Sequence, residues 1–286
     1  MRRYGLLVSA AAMAALLLSG CATEVPGTPT PGERTQAAPT GSQDRTPQRV
    51  LAAPGQCVSG NDPAPVDCGT EHTVEITRAG EFGPELGEDP PQRAAVFGAV
   101  FPTCREAARD YLGNAAYDAT VLGAWLLWAG PDDWQAGHRW YLCGVAELNG
   151  RGEAVPRTGS ARGVLAGDGL YDHQLCSATR PSRKGLELVA CDEPHSAEAI
   201  GVVAMGRPDE KYPAKAEFDA MGRQRCPQLL AGYLRAANRD DVVASWTWPD
   251  RANWPHGFTN LTCFAEPAKT VVRPVRGLGT APLPVP

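Results

Sequence analysis

The sequence lacks several features that would place it in common functional classes. Its net charge is −5 at pH 7, so it lacks the basic excess typical of proteins that bind nucleic acids or anionic lipid surfaces. It has only five histidines, and it contains no GxSxG, no HExxH and no phosphate-binding glycine loop. The apolar run over residues 5–18 is shorter than the roughly 20 residues of a membrane-spanning helix. These absences argue against a nucleic-acid partner, and they predict no catalytic residue, no cofactor and no metal site.

The N-terminus has the layout of a secretory signal rather than of a membrane span. Arg2 and Arg3 precede the apolar run, and the segment ends in Leu-Ser-Gly-Cys at Cys21. This ending resembles a bacterial lipobox, in which the cysteine carries acyl chains such as palmitate and becomes the first residue after cleavage. We therefore predict a signal peptide over residues 1–20 and a lipid on Cys21 that anchors the protein to the extracytoplasmic face of the cell membrane. The alternative is an ordinary cleaved signal next to a chance cysteine.

Both flanks of the sequence are poor in the side chains that build a core. Residues 21–54 and 267–286 are rich in proline, glycine and small polar residues. Segments of this kind bury too little apolar surface to offset the entropy lost on ordering. We predict a flexible tether after the lipid anchor and a disordered tail at the C-terminus.

The sequence contains an internal duplication. Of its nine cysteines, those after Cys21 fall into two groups of four in the same order. The spacing Cys-x3-His-x2-Glu occurs once in each group, formed by Cys68, His72 and Glu75 and by Cys191, His195 and Glu198. A Trp…Trp…Gly…Cys pattern with equal intervals closes each group. The agreement predicts tandem domains over residues 55–147 and 170–266, joined by a linker over residues 148–169.

Each unit combines the alternation of strands with the spacing of one helix. Residues 72–80 and 195–205 alternate apolar and polar side chains, which predicts a strand in each unit. Apolar residues around Cys104 and Cys226 recur every three or four positions, as on one face of a helix. Two further strands precede the fourth cysteine. The predicted class is α+β, with two tandem small domains, each an antiparallel sheet with one main helix, disulfide-stapled.

An even set of cysteines in an exported protein indicates disulfides more than metal ligands, because the compartment is oxidising. The four cysteines of each unit allow three pairings. We prefer first with second and third with fourth, since a strand pair can bring the first two together and the helix cysteine faces the sheet that carries the fourth. The expected bridges are Cys57–Cys68, Cys104–Cys143, Cys176–Cys191 and Cys226–Cys263.

The repeated histidine and glutamate are the residues best suited to chemistry. Zinc accepts cysteine, histidine and glutamate, but an oxidised cysteine is no ligand, and residues three apart on a strand point to opposite faces. We expect the histidine to bond backbone in a turn and the glutamate to pair with a basic neighbour or with the other copy. A surface binding role is the alternative. The tryptophans either pack inside or form a sugar-stacking platform. The possible binding residues are His72, Glu75, His195, Glu198, Trp134 and Trp254.

The motifs VDCGTEHTVEI and WQAGHRWYLCGVAE in the first unit, and VACDEPHSAEAIG and WPHGFTNLTCFAE in the second, resemble the septum-formation domain family of actinobacteria. The resemblance covers residues 55–147 and 170–266. It implies an envelope protein associated with cell division, without an established enzymatic reaction. The second unit has Thr259-Asn260 where the first has Arg139-Trp140, so the two faces there need not bind the same ligand.

These features predict an exported, lipid-anchored binding or scaffolding protein of the cell envelope, associated with septum formation. Its expected partners are the membrane, through the lipid on Cys21, and an envelope protein or a cell-wall glycan. One alternative is an enzyme that acts on wall material with the two His–Glu pairs as acid–base groups. The other is a solute-binding lipoprotein with a pocket between the two units.

Overall fold

The computed structural model describes residues 49–237 and 239–286. The predicted signal peptide, the predicted lipidation site Cys21 and most of the predicted tether lie outside the described residues. Among the helices of the described segments, none has both the length and the apolar character needed to cross a membrane.

The first half of the described chain is an antiparallel sheet with one long helix against it. Its elements are β1 (Cys57–Val58), β2 (Val74–Glu81), α1 (Arg93–Leu112), β3 (Leu122–Trp128), α2 (Pro131–Gln135), β4 (Trp140–Leu148) and β5 (Ala154–Val155), with short 3-10 helices at Pro84–Leu86 and Tyr117–Ala119. The strand order is β1-β2-β4-β3, and β5 pairs with the last residues of β4. The strand β3 is therefore an edge of the sheet.

The second half repeats this architecture. Its elements are α3 (Gly169–Asp172), β6 (Cys176–Ser177), β7 (Leu188–Val189), β8 (Ala197–Ala204), α4 (Lys215–Leu234), β9 (Val242–Thr247) and β10 (Asn260–Pro267), with a 3-10 helix at Trp254–His256. The strand order is β7-β6-β8-β10-β9, again antiparallel. The edge strand β9 corresponds to β3 of the first half.

The two long helices pack on the sheets through a stripe of apolar residues. In α1 this stripe contains Val96, Val100 and Cys104, all buried and spaced by four residues. In α4 the matching stripe contains Phe218 and Cys226, both without exposed surface. The predicted α+β class is confirmed, with two curled antiparallel sheets that each carry one main helix.

Two disulfides lie in each half of the molecule. The pairs are Cys57–Cys68, Cys104–Cys143, Cys176–Cys191 and Cys226–Cys263. These are the pairings expected from the sequence. The second bridge of each half ties the main helix to the strand that carries the fourth cysteine. It closes a sequence separation of 39 residues in the first half and 37 in the second, for which chain-entropy arguments give about 4 kcal/mol of stabilisation each.

The segment that follows β5 is not the free linker expected over residues 148–169. Ala161 and Leu165 have no exposed surface and belong to the core of the first half. Arg157 forms an isolated antiparallel bridge with His72, and the amide of Leu165 donates to the carbonyl of Leu112 at 3.1 Å. The segment therefore completes the first domain, since it covers the end of α1 and the start of β2.

The C-terminal segment repeats this arrangement in the second half. Val271 and Val275 have no exposed surface, and Val271 forms an isolated bridge with His195. The prediction of a disordered tail over residues 267–286 is therefore corrected, and so is the prediction of a tether for Ala52, which is 1 % exposed. A few apolar side chains are enough to order this segment, because they pack on a domain that is already folded. Their burial offsets the conformational entropy that the segment loses.

The two halves contact each other through charged and aromatic side chains. Arg105 of α1 donates to the carbonyl of Gly257 at 2.7 Å and forms a two-pronged ion pair with Asp118 at 2.8 and 2.7 Å. The amide of Asn260 also donates to Asp118, at 2.8 Å. The departure at Thr259-Asn260 in the second copy thus has a structural reason, because Asn260 faces the first half.

A backbone contact joins the halves at a second point. Thr120 and Gln174 form an isolated antiparallel bridge, and the amide of Leu175 donates to the carbonyl of Ala119 at 3.0 Å. Ala119 packs against Phe264 on the face of the second sheet that lies away from α4. The described residues accordingly belong to one compact unit, Pro47–Pro286, rather than to two separate bodies.

Candidate functional site

The repeated histidine and glutamate of the first half lie in the interior, with 0 % of His72 and 1 % of Glu75 exposed. The Nδ1 atom of His72 lies 2.9 Å from the carbonyl oxygen of Thr70. Since a carbonyl only accepts, this nitrogen donates its proton and closes the turn before β2. The Nε2 atom has no hydrogen-bond partner within the described chain. The expected backbone bond of the histidine is present.

Glu75 connects three parts of the first half. Its carboxylate accepts hydrogen bonds from the hydroxyl of Tyr111 on α1, from the hydroxyl of Ser160 at 2.6 Å and from the amide of Ala161 at 2.5 Å. Burial raises the pKa of Tyr111 to about 12, and the hydrogen bond to Glu75 and its charge act in the same direction. The expected basic neighbour is Arg157, whose Nη1 atom lies 4.0 Å from the Glu75 carboxylate in a long ion pair.

The second half contains the same cluster around Glu198, except that one hydrogen-bond partner of the glutamate is different. Glu198 accepts from the hydroxyl of Tyr233 at 2.6 Å and from the amide of Val275 at 2.9 Å. In place of a serine, His195 supplies the third contact, with Nε2 at 2.9 Å from Glu198. The expectation that these two side chains point to opposite faces is wrong, because His195 lies in the turn before β8, which starts at Ala197.

The surroundings of His195 favour its charged form. Its Nδ1 atom lies 2.7 Å from the carbonyl oxygen of Glu193. Burial lowers the pKa of His195, but the hydrogen bond to Glu198, the bond to the Glu193 carbonyl and the charge of Glu198 together raise it above its usual value. Burial raises the pKa of Tyr233 as well, and the charge of Glu198 adds to that shift. His195 therefore keeps its proton to a higher pH than a free histidine does, because its raised pKa favours the charged form.

At most 1 % of each repeated histidine and glutamate is exposed, so these side chains offer no surface to a ligand or a substrate, which contradicts a surface binding role. Within the described residues, one combination has metal-like proximity, and it consists of Cys57, Cys68 and Glu75. The two sulfurs form a disulfide and therefore provide no thiolate. The clusters around Glu75 and Glu198 act as cross-links between the sheet, the helix and the following segment.

The paired tryptophans are also interior, since 1 % of Trp134 and 2 % of Trp254 is exposed. The guanidinium of Arg139 lies over the ring of Trp134, 4.1 Å from its centre. The indole nitrogen of Trp254 donates to the carbonyl of Glu210 at 2.9 Å. The structure thus shows packing in the core rather than a sugar-stacking platform.

A groove of about 650 Å³ lies along the edge strand β3 in the first half. One wall is a row of aromatic rings, with 4.7 Å between the centres of Phe97 and Phe101, 5.8 Å between Phe101 and Phe258, and 6.1 Å between Phe97 and Trp128. Phe258 belongs to the second half, so the wall exists only when the halves are packed together. Trp125 lines the groove from the other face of the sheet.

The groove contains few polar groups, and these have no hydrogen-bond or ionic partner among the residues that the structure describes. Arg93 lies with its guanidinium over the ring of Phe97, 4.7 Å from its centre, and it makes no ion pair or hydrogen bond with a residue that the structure describes. The indole nitrogen of Trp125 is buried and has no acceptor among the same residues. Asn61 is the other polar side chain in the lining. The aromatic groove is therefore largely apolar, and Arg93 at its rim has no ionic partner among the residues that the structure describes.

A second groove, of about 710 Å³, lies between the two halves, where the sequence suggested a pocket. Its lining includes the acidic residues Glu147, Asp172, Asp192 and Glu193 together with His173. Burial lowers the pKa of His173, and the charge of Arg157 acts in the same direction. The groove is acidic and lacks a buried, unpartnered polar side chain within the described chain.

The aromatic groove was not found from the sequence, although its signal lies in the differences between the copies. The helices α1 and α4 both have 20 residues, so Phe97 and Phe101 correspond to Asp219 and Arg223. Agreement between repeats indicates the shared core. Apolar residues present in only one copy, such as Phe97, instead show where the surfaces of the two copies differ.

Comparison with protein families agrees with the duplicated pattern. A family model described as "Septum formation" matches residues 21–125 and 54–263, two overlapping regions that are consistent with tandem copies. Neither the curated proteins nor the solved structures yield a match. The longer matched region covers more than half of the chain and contains both Cys-x3-His-x2-Glu motifs. The chain therefore belongs to the septum-formation family.

Proposed function

We propose that this chain is a lipid-anchored binding or scaffolding protein on the extracytoplasmic face of the cell membrane, where it acts in septum formation. Family membership supports the association with cell division. The lipobox-like ending at Cys21 supports the anchor, and the disulfides support an oxidising compartment. The proposal includes no catalytic step.

The aromatic groove beside β3 is the observation that carries the binding role. Exposed apolar surface costs solubility, and a contiguous patch of it typically marks an interaction site. Here Phe97, Trp128 and Phe258 are only partly buried and lie in one row. The repeated His and Glu residues are buried and are used for internal cross-links, so they do not offer a binding surface. A protein of this kind acts through its surface.

A wall-acting enzyme would require the His–Glu pairs to touch substrate, and their burial does not support this. A solute-binding lipoprotein has more support, because the acidic groove between the halves has the size of a ligand pocket. That alternative predicts a cationic solute. A rise in melting temperature of the full chain with polyamines or basic amino acids, and none with neutral sugars, tests it.

The proposed function is tested by locating the protein in cells that carry Cys21→Ala or Phe97→Asp. We expect a fluorescent fusion of the unaltered chain to fractionate with membranes and to concentrate at septa. The Cys21→Ala variant should leave the membrane fraction, because the anchor is lost. The Phe97→Asp variant should remain in the membrane fraction and lose its concentration at septa.

Asp219→Ala on the equivalent position of α4 is the matched control, and it should behave as the unaltered chain. Uniform distribution of the unaltered fusion around the cell, with normal septa in cells that lack the protein, would contradict the proposal.

A further inference from the structure

The outward side of β3 presents unpaired main-chain groups to the aromatic groove. The register of β3 against β4 places Ala129 opposite Trp140, and the amide of Ala129 donates to the Trp140 carbonyl at 3.0 Å. Odd-numbered residues of β3 therefore bond to β4, and even-numbered ones point their N–H and C=O groups away from it. Ala124, Leu126 and Trp128 thus offer donors and acceptors in the order of a strand, with no partner in the described chain.

The side chains beside this edge form two unequal walls. Leu126 lies opposite Cys143, which is bonded to α1, so the even-numbered side chains face the helix. On that side the groove is walled by Phe97, Phe101 and Phe258. On the other side Trp125 provides an apolar face, and its indole N–H is buried without an acceptor among the described residues. A strand placed here would bury alternate side chains against aromatic rings.

The edge of the second half lacks these properties. At the positions of Phe97 and Phe101, α4 carries Asp219 and Arg223. At the position of Trp125, counted back from the fourth cysteine, β9 carries Ser245. Charged residues beside an edge strand are a common means of preventing strand addition. Within the described residues, the β9 edge is thus flanked by charged side chains of α4, whereas the corresponding β3 edge is flanked by aromatic side chains of α1.

We propose that β3 binds an extended peptide segment of another envelope protein by strand addition, with apolar side chains at alternate positions and a carboxylate at one end. This inference rests on the proposed binding role and names the class of partner. Main-chain bonds to Ala124, Leu126 and Trp128 supply the alignment, and the aromatic row supplies pockets for alternate side chains. The three outward residues span on the order of 14 Å, which matches a segment of about five to seven residues.

The small number of polar side chains that line the groove favours a peptide ligand over a glycan. Sugar hydroxyls need several polar side chains to replace their bonds to water, and the lining offers the side chains of Asn61 and Arg93. A strand edge instead offers one N–H donor and one C=O acceptor at every second residue. The main chain of an extended peptide has acceptors and donors at the same spacing.

The guanidinium of Arg93, which has no ionic partner in the part of the chain that the structure describes, favours a partner with a negative charge. Arg93 is exposed and lies at the groove rim above Phe97. A carboxylate of the incoming segment, from an acidic side chain or a chain terminus, completes a charge-assisted hydrogen bond there. Lys215 is its counterpart in α4, and it is already paired with Asp219 at 2.5 Å.

The test uses the full disulfide-bonded chain and a synthetic seven-residue peptide with glutamate at one end and valine or phenylalanine at every second position. Tryptophan fluorescence gives the affinity, and amide hydrogen exchange shows which residues are protected. We expect protection at Ala124, Leu126 and Trp128 and none at the β9 edge. A peptide N-methylated at alternate amides and the oligosaccharide tetra-N-acetylchitotetraose serve as comparison probes, and neither should bind.

Ala124→Pro is the principal variant, because it removes one outward N–H and leaves the bonds to β4 in place. Ala244→Pro makes the same change at the equivalent position of β9. We expect the first to weaken peptide binding by about tenfold or more and the second to leave it unchanged. Should Ala124→Pro fail to fold, Arg93→Glu with a peptide carrying lysine in place of glutamate is the substitute. Binding should be lost with the original peptide and restored with the lysine peptide.

Equal binding of the N-methylated peptide, equal affinity of the two proline variants or preferential binding of the oligosaccharide would overturn the proposal. So would a dimer of the free chain that Ala124→Pro dissociates, since the occupant would then be a second copy. Slow exchange at β3 in the full chain that becomes fast on deletion of residues 22–46 would assign the groove to the chain's own segment. Septal location with no peptide binding overturns this inference alone, whereas peptide binding without septal location overturns only the proposed function.

Discussion

The hydroxyl of Tyr233 donates a hydrogen bond to Oε2 of Glu198 at 2.6 Å, and Tyr111 makes the same bond to Glu75 in the first half. Each bond joins the end of the main helix to the first long strand of its sheet. The amide of Val275 or Ala161 adds the following segment to the same carboxylate. A single buried glutamate thus fixes three elements that are distant in sequence.

Replacing Tyr233 with phenylalanine should lower the free energy of unfolding by about 1–3 kcal/mol, because Glu198 loses a buried donor. Urea unfolding followed by tryptophan fluorescence measures the change. Tyr171→Phe is the control, since its hydroxyl makes no hydrogen bond within the described residues, and it should change stability by less than about 0.5 kcal/mol. Equal effects of the two substitutions would show that the Tyr233 bond contributes nothing specific.

The contribution of His195 should depend on pH. Its pKa is raised on folding above the unfolded value of about 6.5, so the protonated form favours the folded state. This contribution is fully present below about pH 6.5 and is lost as the pH rises through the folded pKa. The stability difference between the unaltered chain and His195→Gln should therefore shrink from about pH 6 to pH 9. A constant difference over that range would exclude the linkage.

Arg105 should be essential for the packing of the two halves. It is 6 % exposed, and its removal would leave Asp118 without a cation in a partly buried contact. We expect Arg105→Ala to lower the unfolding free energy by about 3–5 kcal/mol. Arg109→Ala on the same helix removes an exposed pair and should cost less than about 1 kcal/mol. Chemical unfolding of both variants checks this, and a small loss for Arg105→Ala would mean that the halves pack through other contacts.

The eight cysteines of the two units should be protected from alkylation until the chain is reduced. Mass spectrometry after iodoacetamide treatment should show no modified cysteine among them under native, oxidising conditions. Joint replacement of Cys104 and Cys143 by alanine should lower stability by about 2–4 kcal/mol. Quantitative alkylation without reductant, or stoichiometric zinc in purified protein, would contradict the disulfide framework.

The C-terminal segment should be required for the stability of the second half. Deletion of residues 268–286 removes the Val275 amide from Glu198 and uncovers His195, so we expect a loss of more than about 2 kcal/mol. Deletion of only Val285 and Pro286, which are exposed, is the matched control and should have little effect. Melting curves measure both, and an unchanged melting temperature for the long deletion would show that the segment is dispensable.

Much of the fold could be predicted because the sequence repeats itself. A spacing between residues that occurs in both copies is unlikely to arise by chance. The cysteines, Tyr111 and Tyr233, and the closing Trp…Gly…Cys pattern all recur in this way. Disulfide partners followed from the helix and strand that carry them. The boundaries of each domain were harder to predict from the sequence. Residues 148–169 and 267–286 have too few apolar side chains to indicate that they pack on a neighbouring surface.

The roles of individual polar residues were harder to predict. His195 and Glu198 were expected on opposite faces of a strand, but a turn places the histidine where its ring reaches the carboxylate. A rule based on strand alternation fails within a residue or two of a strand end. Burial also decides the outcome, because the same residue types could bind metal at a surface and serve as a cross-link in a core.

The sequence by itself determined the duplication, the α+β class, the disulfide framework and the membership of the septum-formation family, because these depend on local periodicity and on repeated spacing. Only the tertiary structure brought together the residues that form the aromatic groove. The aromatic groove needs Phe97 from one copy, Phe258 from the other and the edge strand β3, and these lie together only after the halves pack. Proximity between residues so distant in sequence is a product of folding, since no local pattern encodes which edge of a sheet remains open.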